Sequence, residues 1–230
     1  MHGRSLMAIG QWALWNPIRS TAMLKDAPVT GSISLTQTIR RALRRGGPSM
    51  SINKPPIRSS MEGNPIYTIG YGSRSFDVLC ALLFRYGIGV VVDVRSEPWS
   101  KHHPEYRKRE LATALSVAGI GFSHMGRELG GRPRDPSLLR DGRPDWELVR
   151  RSAPFRLSIN RLCAAAREGP IMALLCAELD PERCHRSGVL SDALTKGGLE
   201  VIHILPGDET MAHRDLRRRR GGQQLELWMG

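Results

Sequence analysis

The sequence predicts an α/β protein built on an open, mainly parallel sheet, and three observations carry that reading. Short apolar runs, Ile66–Ile69, Val90–Val94, Ile171–Leu175 and Leu199–Leu205, alternate with segments of helical periodicity, the spacing of β–α–β units. The runs are continuously apolar rather than alternating, which suits strands covered on both faces. Each ends in a Gly- or Pro-containing turn that carries polar residues, where an open α/β sheet collects its ligands. The expectation is one domain over residues 65–213, with about five strands and helices on both faces, Rossmann-like.

The elements follow in order. Ile66–Ile69 is a strand and Gly70-Tyr71-Gly72 a turn. Ser75 is placed to cap a helix over Phe76–Tyr86, which Gly87 ends, since a short hydroxyl side chain satisfies the first free amides and glycine accepts the reversed backbone after the last turn. Val90–Val94 is a second strand, with Asp93 and Arg95 at its carboxyl end, and a helix is expected over Glu105–Ala118 before a short strand Gly121–His124. GRELGGRPRDP is too rich in Gly, Pro and Arg for core and reads as a loop. A helix near Phe155–Glu168 leads to the strand Ile171–Leu175; helix Ser187–Lys196 stops at Gly197-Gly198, and Leu199–Leu205 is the last strand.

Charge divides the chain differently. The formal net charge is +12, but residues 1–64 hold nine Lys+Arg against two Asp+Glu and residues 214–230 five against two, leaving 20 against 18 between them. The centre is an ordinary globular segment with basic arms. The N-terminal arm, residues 1–64, lacks a core pattern and is expected to be disordered, or an over-extended translation start ahead of Met61. Basic arms suit nucleic acid, because neutralised phosphates release counterions; solvated arms without a partner are the plainer alternative. Four cysteines are too few for a disulfide framework, and no apolar run spans a membrane, so a cytoplasmic location and no membrane partner are expected.

The chemistry concentrates in IMALLCAELDPERCHRSGVL, residues 171–190. Cys184 lies at the start of a helix beside His185 and Arg186, an environment that favours the nucleophilic thiolate. The catalytic candidates are Cys184, His185, Arg186, Cys176, Glu178 and Asp93, with His185 or Glu178 as proton carrier. Candidates for holding an anion or nucleic acid are Tyr71, Ser73, Arg95, Ser96, Lys101, Tyr106, Arg127 and Arg132, with Arg95 and Arg186 as principal anion holders. Aromatic residues mixed with positive charge are how single strands are gripped. No cofactor is expected. Zinc at Cys176, Cys184 and His185, with His124 or Glu178 as a fourth ligand, and a redox disulfide between Cys176 and Cys184 stay open as alternatives. So does simple ion pairing that pins the loops.

The segments TIGYGSRS, VVVDVRSEPWSKHHPEY, AGIGFSHMGRELGGRP, LLCAELDPERCHRSGVLSDAL and EVIHI resemble, in order, the family called domain of unknown function 488. The resemblance implies an α/β fold and signature positions at Asp93, Arg95, Ser96, Pro98, Leu129, Gly130, Gly131, Cys176, Glu178, Cys184, His185 and Arg186, and no established reaction. Tyr71-Gly72 stands where the family pattern implies a His-Ser-like pair.

The tail RRRRGGQQLELWMG reads as a flexible basic tether. Gln224, Leu225, Leu227 and Trp228 resemble the Gln-Leu-x-Leu-Phe peptide by which bacterial replication and repair proteins dock on the DNA sliding clamp, with Trp in place of Phe. The expected function is action on a nucleic acid or nucleotide-like substrate through the cysteine loop, tethered by the basic arms and the clamp. A non-catalytic nucleic-acid-binding adaptor and a rhodanese-like thiol or sulfur-transfer enzyme are the alternatives.

Overall fold

The computed structural model describes residues 63–229, with side chains through residue 221. The expectation for the N-terminal arm falls on residues 1–64, of which 1–62 lie outside the described residues.

Strand β1 (Ile66–Gly70) is fully buried and leads through a turn to Ser75, whose side chain caps helix α1 (Phe76–Arg85) by accepting from the Val78 amide. Gly87, at φ +65°, turns the chain back into β2 (Val90–Asp93). The helix expected over 105–118 is divided. Pro104 opens a short 3-10 turn at Pro104–Tyr106, Arg107 is extended, and α2 (Lys108–Val117) begins after it. Strand β3 (Gly121–His124) and a single helical turn, α3 (Gly126–Leu129), follow. The Gly/Pro/Arg-rich loop then closes with a small hairpin, β4 (Leu139–Arg140) and β5 (Arg143–Pro144), which the sequence reading did not contain. Asp145 caps α4 (Trp146–Arg151), and α5 (Ala153–Glu168) returns the chain to β6 (Met172–Cys176). After β6 come a 3-10 turn (Pro181–Arg183), a π-helical stretch (Arg186–Ser191) and α6 (Asp192–Lys196), then β7 (Val201–Ile204), β8 (Thr210–Ala212) and α7 (His213–Met229).

The sheet order is β3-β2-β6-β1-β7-β8. Five strands are parallel, and β8 adds an antiparallel sixth at one edge through Ile202–Ala212, His203–Met211 and Ile204–Thr210. Side chains alternate across a strand, so Tyr67, Ile69, Val91, Ala173, Leu175, Ile202 and Ile204 share one face, in one core cluster with Leu79 and Leu83 of α1 and Leu111 and Leu115 of α2. The other set, including Ile66, Val92, Met172 and Leu174, is equally buried. His203 belongs to that second face and reaches His213 and, through it, Asp192, which places α6 and the first turn of α7 there. Helices therefore cover both sides.

The sequence reads the tail, residues 214–230, as a flexible basic tether. Its backbone is helical to Met229, and Leu216, 1% exposed, anchors the first turns. Arg219 bonds Glu182 Oε1 at 3.0 Å through its Nε, and Arg220 bonds the Glu182 carbonyl. Arginine is a good helix former, and here the basic run also has a docking point on the turn that precedes Cys184.

Candidate active site

The carboxyl ends of β2, β6 and β1 are neighbours, because β6 sits between the other two and registers Leu175 with Asp93 and Cys176 with Gly70. The loops leaving these ends enclose a cleft of about 530 Å³. Tyr71 comes from the loop after β1, Arg95, Ser96, Glu97 and Trp99 from that after β2, and Cys176 from the end of β6 with Ala177, Glu178, Arg183, Cys184 and His185 from the loop after it. Gly131 and Arg132 close it from the loop after α3, and Trp146 from the first turn of α4. Gly70 is required by this convergence: a Cβ there would run into the Glu178 carbonyl.

Cys184 is half-buried at the cleft wall. Its Sγ lies 3.6 Å from His185 Nδ1, and Arg186 Nε donates to it at 3.2 Å. His185 Nε2 is 3.0 Å from the Leu129 carbonyl. A carbonyl only accepts, so Nε2 carries a proton and donates it, and Nδ1 is the ring nitrogen free to exchange a proton with the thiol. The backbone of α3 thus performs the orienting role that a third side chain plays in nucleophile–histidine pairs. The Trp146 ring lies parallel to the imidazole, 9° between planes and 6.3 Å between centroids. Gly131 makes room beside it, since a Cβ there would stand 2.9 Å from Nδ1.

The two cysteines of the loop divide their proton unequally. A hydrogen bond from the Cys176 thiol, with smaller contributions from His185 and Arg186, holds Cys184 well below the ordinary thiol range, against the opposing effect of burial. Cys176, 8% exposed, moves the other way: giving that hydrogen bond, burial and the charge on Cys184 all keep it protonated. Cys80 and Cys163 are core residues, as expected; burial pushes Cys80 up to about 12 and raises Cys163.

Two expected roles are corrected by burial. Asp93, a catalytic candidate expected to line the site, is 0% exposed and does not line the cleft: Arg95 Nε and Nη2 donate to its two oxygens at 2.8 and 2.6 Å. Its work is to position Arg95, whose guanidinium also lies over the Tyr71 ring at 5.3 Å. Arg186 is no anion holder. It is 0% exposed and spends its donors on Cys184 Sγ and the Glu178 carbonyl, 2.6 Å from Nη2. The Nη1 atoms of both arginines are buried without a hydrogen-bond partner among the described residues. The exposed arginines that line the cleft are Arg132 and Arg183. The Glu178 side chain also lines it, exposed, and its carbonyl rather than its carboxylate holds the loop.

Other expected anion or nucleic-acid residues divide similarly. Ser96 lines the cleft and its Oγ accepts from the Arg132 amide at 2.8 Å. Ser73, Lys101 and Arg127 are exposed but do not line it. Tyr106 cannot stack on a base. It is 0% exposed, its ring stacked on Tyr71 at 4.0 Å and its hydroxyl donating to the Arg74 carbonyl. The side chains of Gln224, Leu225, Leu227 and Trp228 lie outside the described residues. The sequence reading missed Arg183, Trp146 and the Leu129 carbonyl as members of the site. Arg183 was within reach, one residue before the cysteine, whereas nothing local marks the other two.

Cys176, Cys184 and His185 place their ligand atoms within 4.8 Å of one another, a spacing a zinc ion could span. Of the two suggested fourth ligands, His124 or Glu178, His124 has Nε2 2.9 Å from the Arg95 carbonyl. A cation there would also face Arg186 Nε, so the surroundings suit an anionic sulfur better than a metal.

Fold and cleft together define an open α/β protein with a cysteine–histidine pair at the carboxyl ends of its central strands. The chain belongs to the family described as domain of unknown function DUF488, whose model matches residues 75–194, just over half of its length. The resemblance noted from sequence is thereby shown, and its signature positions from Asp93 to Arg186 fall inside the match. No curated protein and no solved structure matches the chain. No helix among the described residues is long and apolar enough to cross a membrane.

Proposed function

We propose that this protein is a cysteine-dependent enzyme that forms a covalent adduct between Cys184 and an anionic, nucleotide-like substrate. The observation that supports the reading is the proton geometry: Cys184 Sγ faces His185 Nδ1 while Nε2 is committed to the Leu129 carbonyl. The Cys184 thiolate attacks the electrophilic centre and forms a sulfur bond to it. The bond to the leaving group breaks, and that group departs with the electron pair and the proton held at His185 Nδ1. Water then attacks the adduct with Nδ1 as base, which releases product and restores the thiolate. Arg132 and Arg183 supply the positive charge that draws an anion to the cleft, and Trp99 and Trp146 offer aromatic faces for a base.

The test is release of nitrophenol from 4-nitrophenyl phosphate and 4-nitrophenyl acetate. The account expects a burst equal to the protein concentration that Cys184→Ser removes without moving the melting temperature. A burst that survives Cys184→Ser, or none from the wild type with either ester, contradicts it. Docking on a bacterial sliding clamp through Gln224, Leu225, Leu227 and Trp228 rests on sequence alone. Saturable binding of a 214–230 peptide, lost on Gln224→Ala with Trp228→Ala, would place the chemistry at DNA; a peptide that does not bind ends that part of the proposal.

A further inference from the structure

The mechanism above leaves one nucleophile in the cleft unused. Cys176 ends the central strand β6, lines the same cleft as Cys184, and carries its sulfur within 4.8 Å of both Cys184 Sγ and the nearest His185 nitrogen. A second thiol so close to a nucleophilic one can do what water cannot, which is attack the sulfur of Cys184 itself.

We propose that Cys176 is the resolving thiol of Cys184, so that the cleft also takes substrates with a sulfur–sulfur bond and reduces them through a Cys176–Cys184 disulfide. The Cys184 thiolate attacks one sulfur of a disulfide R–S–S–R, forms Cys184–S–S–R and expels RS⁻, which takes the proton held at His185 Nδ1 and leaves that nitrogen free. The Cys176 thiol passes its proton to His185 Nδ1 and attacks Cys184 Sγ. The internal disulfide forms, and the second RS⁻ leaves with that proton. The substrate gains two electrons and the cysteine pair loses them; an external dithiol returns the pair to its starting state by the same exchange in reverse. The sulfurs, now within 4.8 Å of one another, must close to bonding distance for the disulfide to form.

Arg186 makes the oxidised state the costlier one. Its guanidinium is fully buried, its Nη1 has no hydrogen-bond partner among the described residues, and its Nε is directed at the Cys184 sulfur. Oxidation turns that sulfur from an anion into a neutral disulfide atom and leaves a buried cation with a second poorly satisfied donor. A pair whose reduced form is stabilised in this way is oxidised only by disulfide in excess, and an external dithiol readily returns it to the reduced form. The oxidised protein should therefore melt at a lower temperature than the reduced one.

This inference rests on Cys184 being the nucleophile, and the experiment separates the two. The full chain, stripped of metal with a chelator, is treated with glutathione disulfide, quenched by acid and mapped by mass spectrometry, alongside Cys176→Ser and Cys184→Ser. The wild type is expected to yield the Cys176–Cys184 disulfide and two glutathiones released, Cys176→Ser a stable glutathione adduct on Cys184, and Cys184→Ser no adduct at Cys176. A parallel sample is labelled with iodoacetamide at neutral pH. Glutathione retained on wild-type Cys184 with Cys176 free overturns the resolving role. Cys184 that is labelled but forms neither adduct nor disulfide overturns it too, and leaves the nucleophile standing. Failure of iodoacetamide to label Cys184 overturns both readings. One tightly held zinc per chain before chelation, with no disulfide formed after it, assigns the cluster to a metal instead.

Discussion

Replacing His185 with alanine removes one of the partners of the Cys184 sulfur while leaving Cys176 and Arg186 in place. A hydrogen bond to a charged group is worth about 1.5–3 kcal/mol, and a tenfold change in ionisation is about 1.4 kcal/mol. The Nδ1–Sγ separation of 3.6 Å argues for the weaker end, so His185→Ala should raise the thiolate midpoint by about one pH unit. Cys184 is held below the ordinary thiol range when folded, so the unfolded chain keeps its proton to higher pH than the folded one. The stability this contributes is complete above the unfolded thiol pKa and is lost as pH falls through the folded value. The variant should lose part of that contribution. Thiolate absorbance and the alkylation rate of Cys184, each followed against pH in a background with Cys80 and Cys163 replaced, read the midpoint. A wild-type midpoint in the ordinary thiol range, or one that His185→Ala leaves unmoved, would refute the reasoning.

Three further outcomes follow from the same contacts. Asp93→Ala leaves the Arg95 guanidinium, 4% exposed, without its bidentate partner, and should cost about 3–5 kcal/mol in urea unfolding; an unchanged midpoint would mean the buried pair is not held as described. His203, pushed down to about 3 chiefly by burial, stays neutral in the fold while the unfolded chain protonates near 6.5. Stability should therefore fall as pH drops below that value, and a His203→Gln variant with the same acid slope in its melting temperature would contradict this. Gly131→Ala pushes a methyl group against His185 Nδ1, and should slow iodoacetamide labelling of Cys184 by about tenfold or more with little change in melting temperature; an unaffected rate would show that the imidazole position is immaterial.

The parallel strands were legible because β-branched and aliphatic runs such as Val90–Val94 have one good home, a sheet covered on both sides. The antiparallel edge at Thr210–Ala212 was not, being three half-buried residues with no apolar signature. For the site, the sequence brought Cys176, Cys184, His185 and Arg95 to the right sheet edge through the strand-end rule alone. It misassigned Asp93 and Arg186 because charge is visible in a sequence and burial is not. Arginine in a catalytic loop reads as an anion ligand until its donors are seen to be spent on a sulfur and a carbonyl. The tautomer of His185 was beyond reach for a different reason: its partner is the backbone of Leu129, 56 positions away. The buried chain Thr68–His203–His213–Asp192 gave no signal either, since its members are scattered over two strands and two helices.

The central claim is that Cys184 is the reactive thiolate among four cysteines. Treating the folded full chain with less than one equivalent of iodoacetamide at pH 6, then unfolding it, blocking the remaining thiols and mapping the label, tests that claim most directly. The account predicts label on Cys184, with Cys80, Cys163 and Cys176 protected by burial and protonation. Label spread evenly over the four, or absent from Cys184, would contradict it.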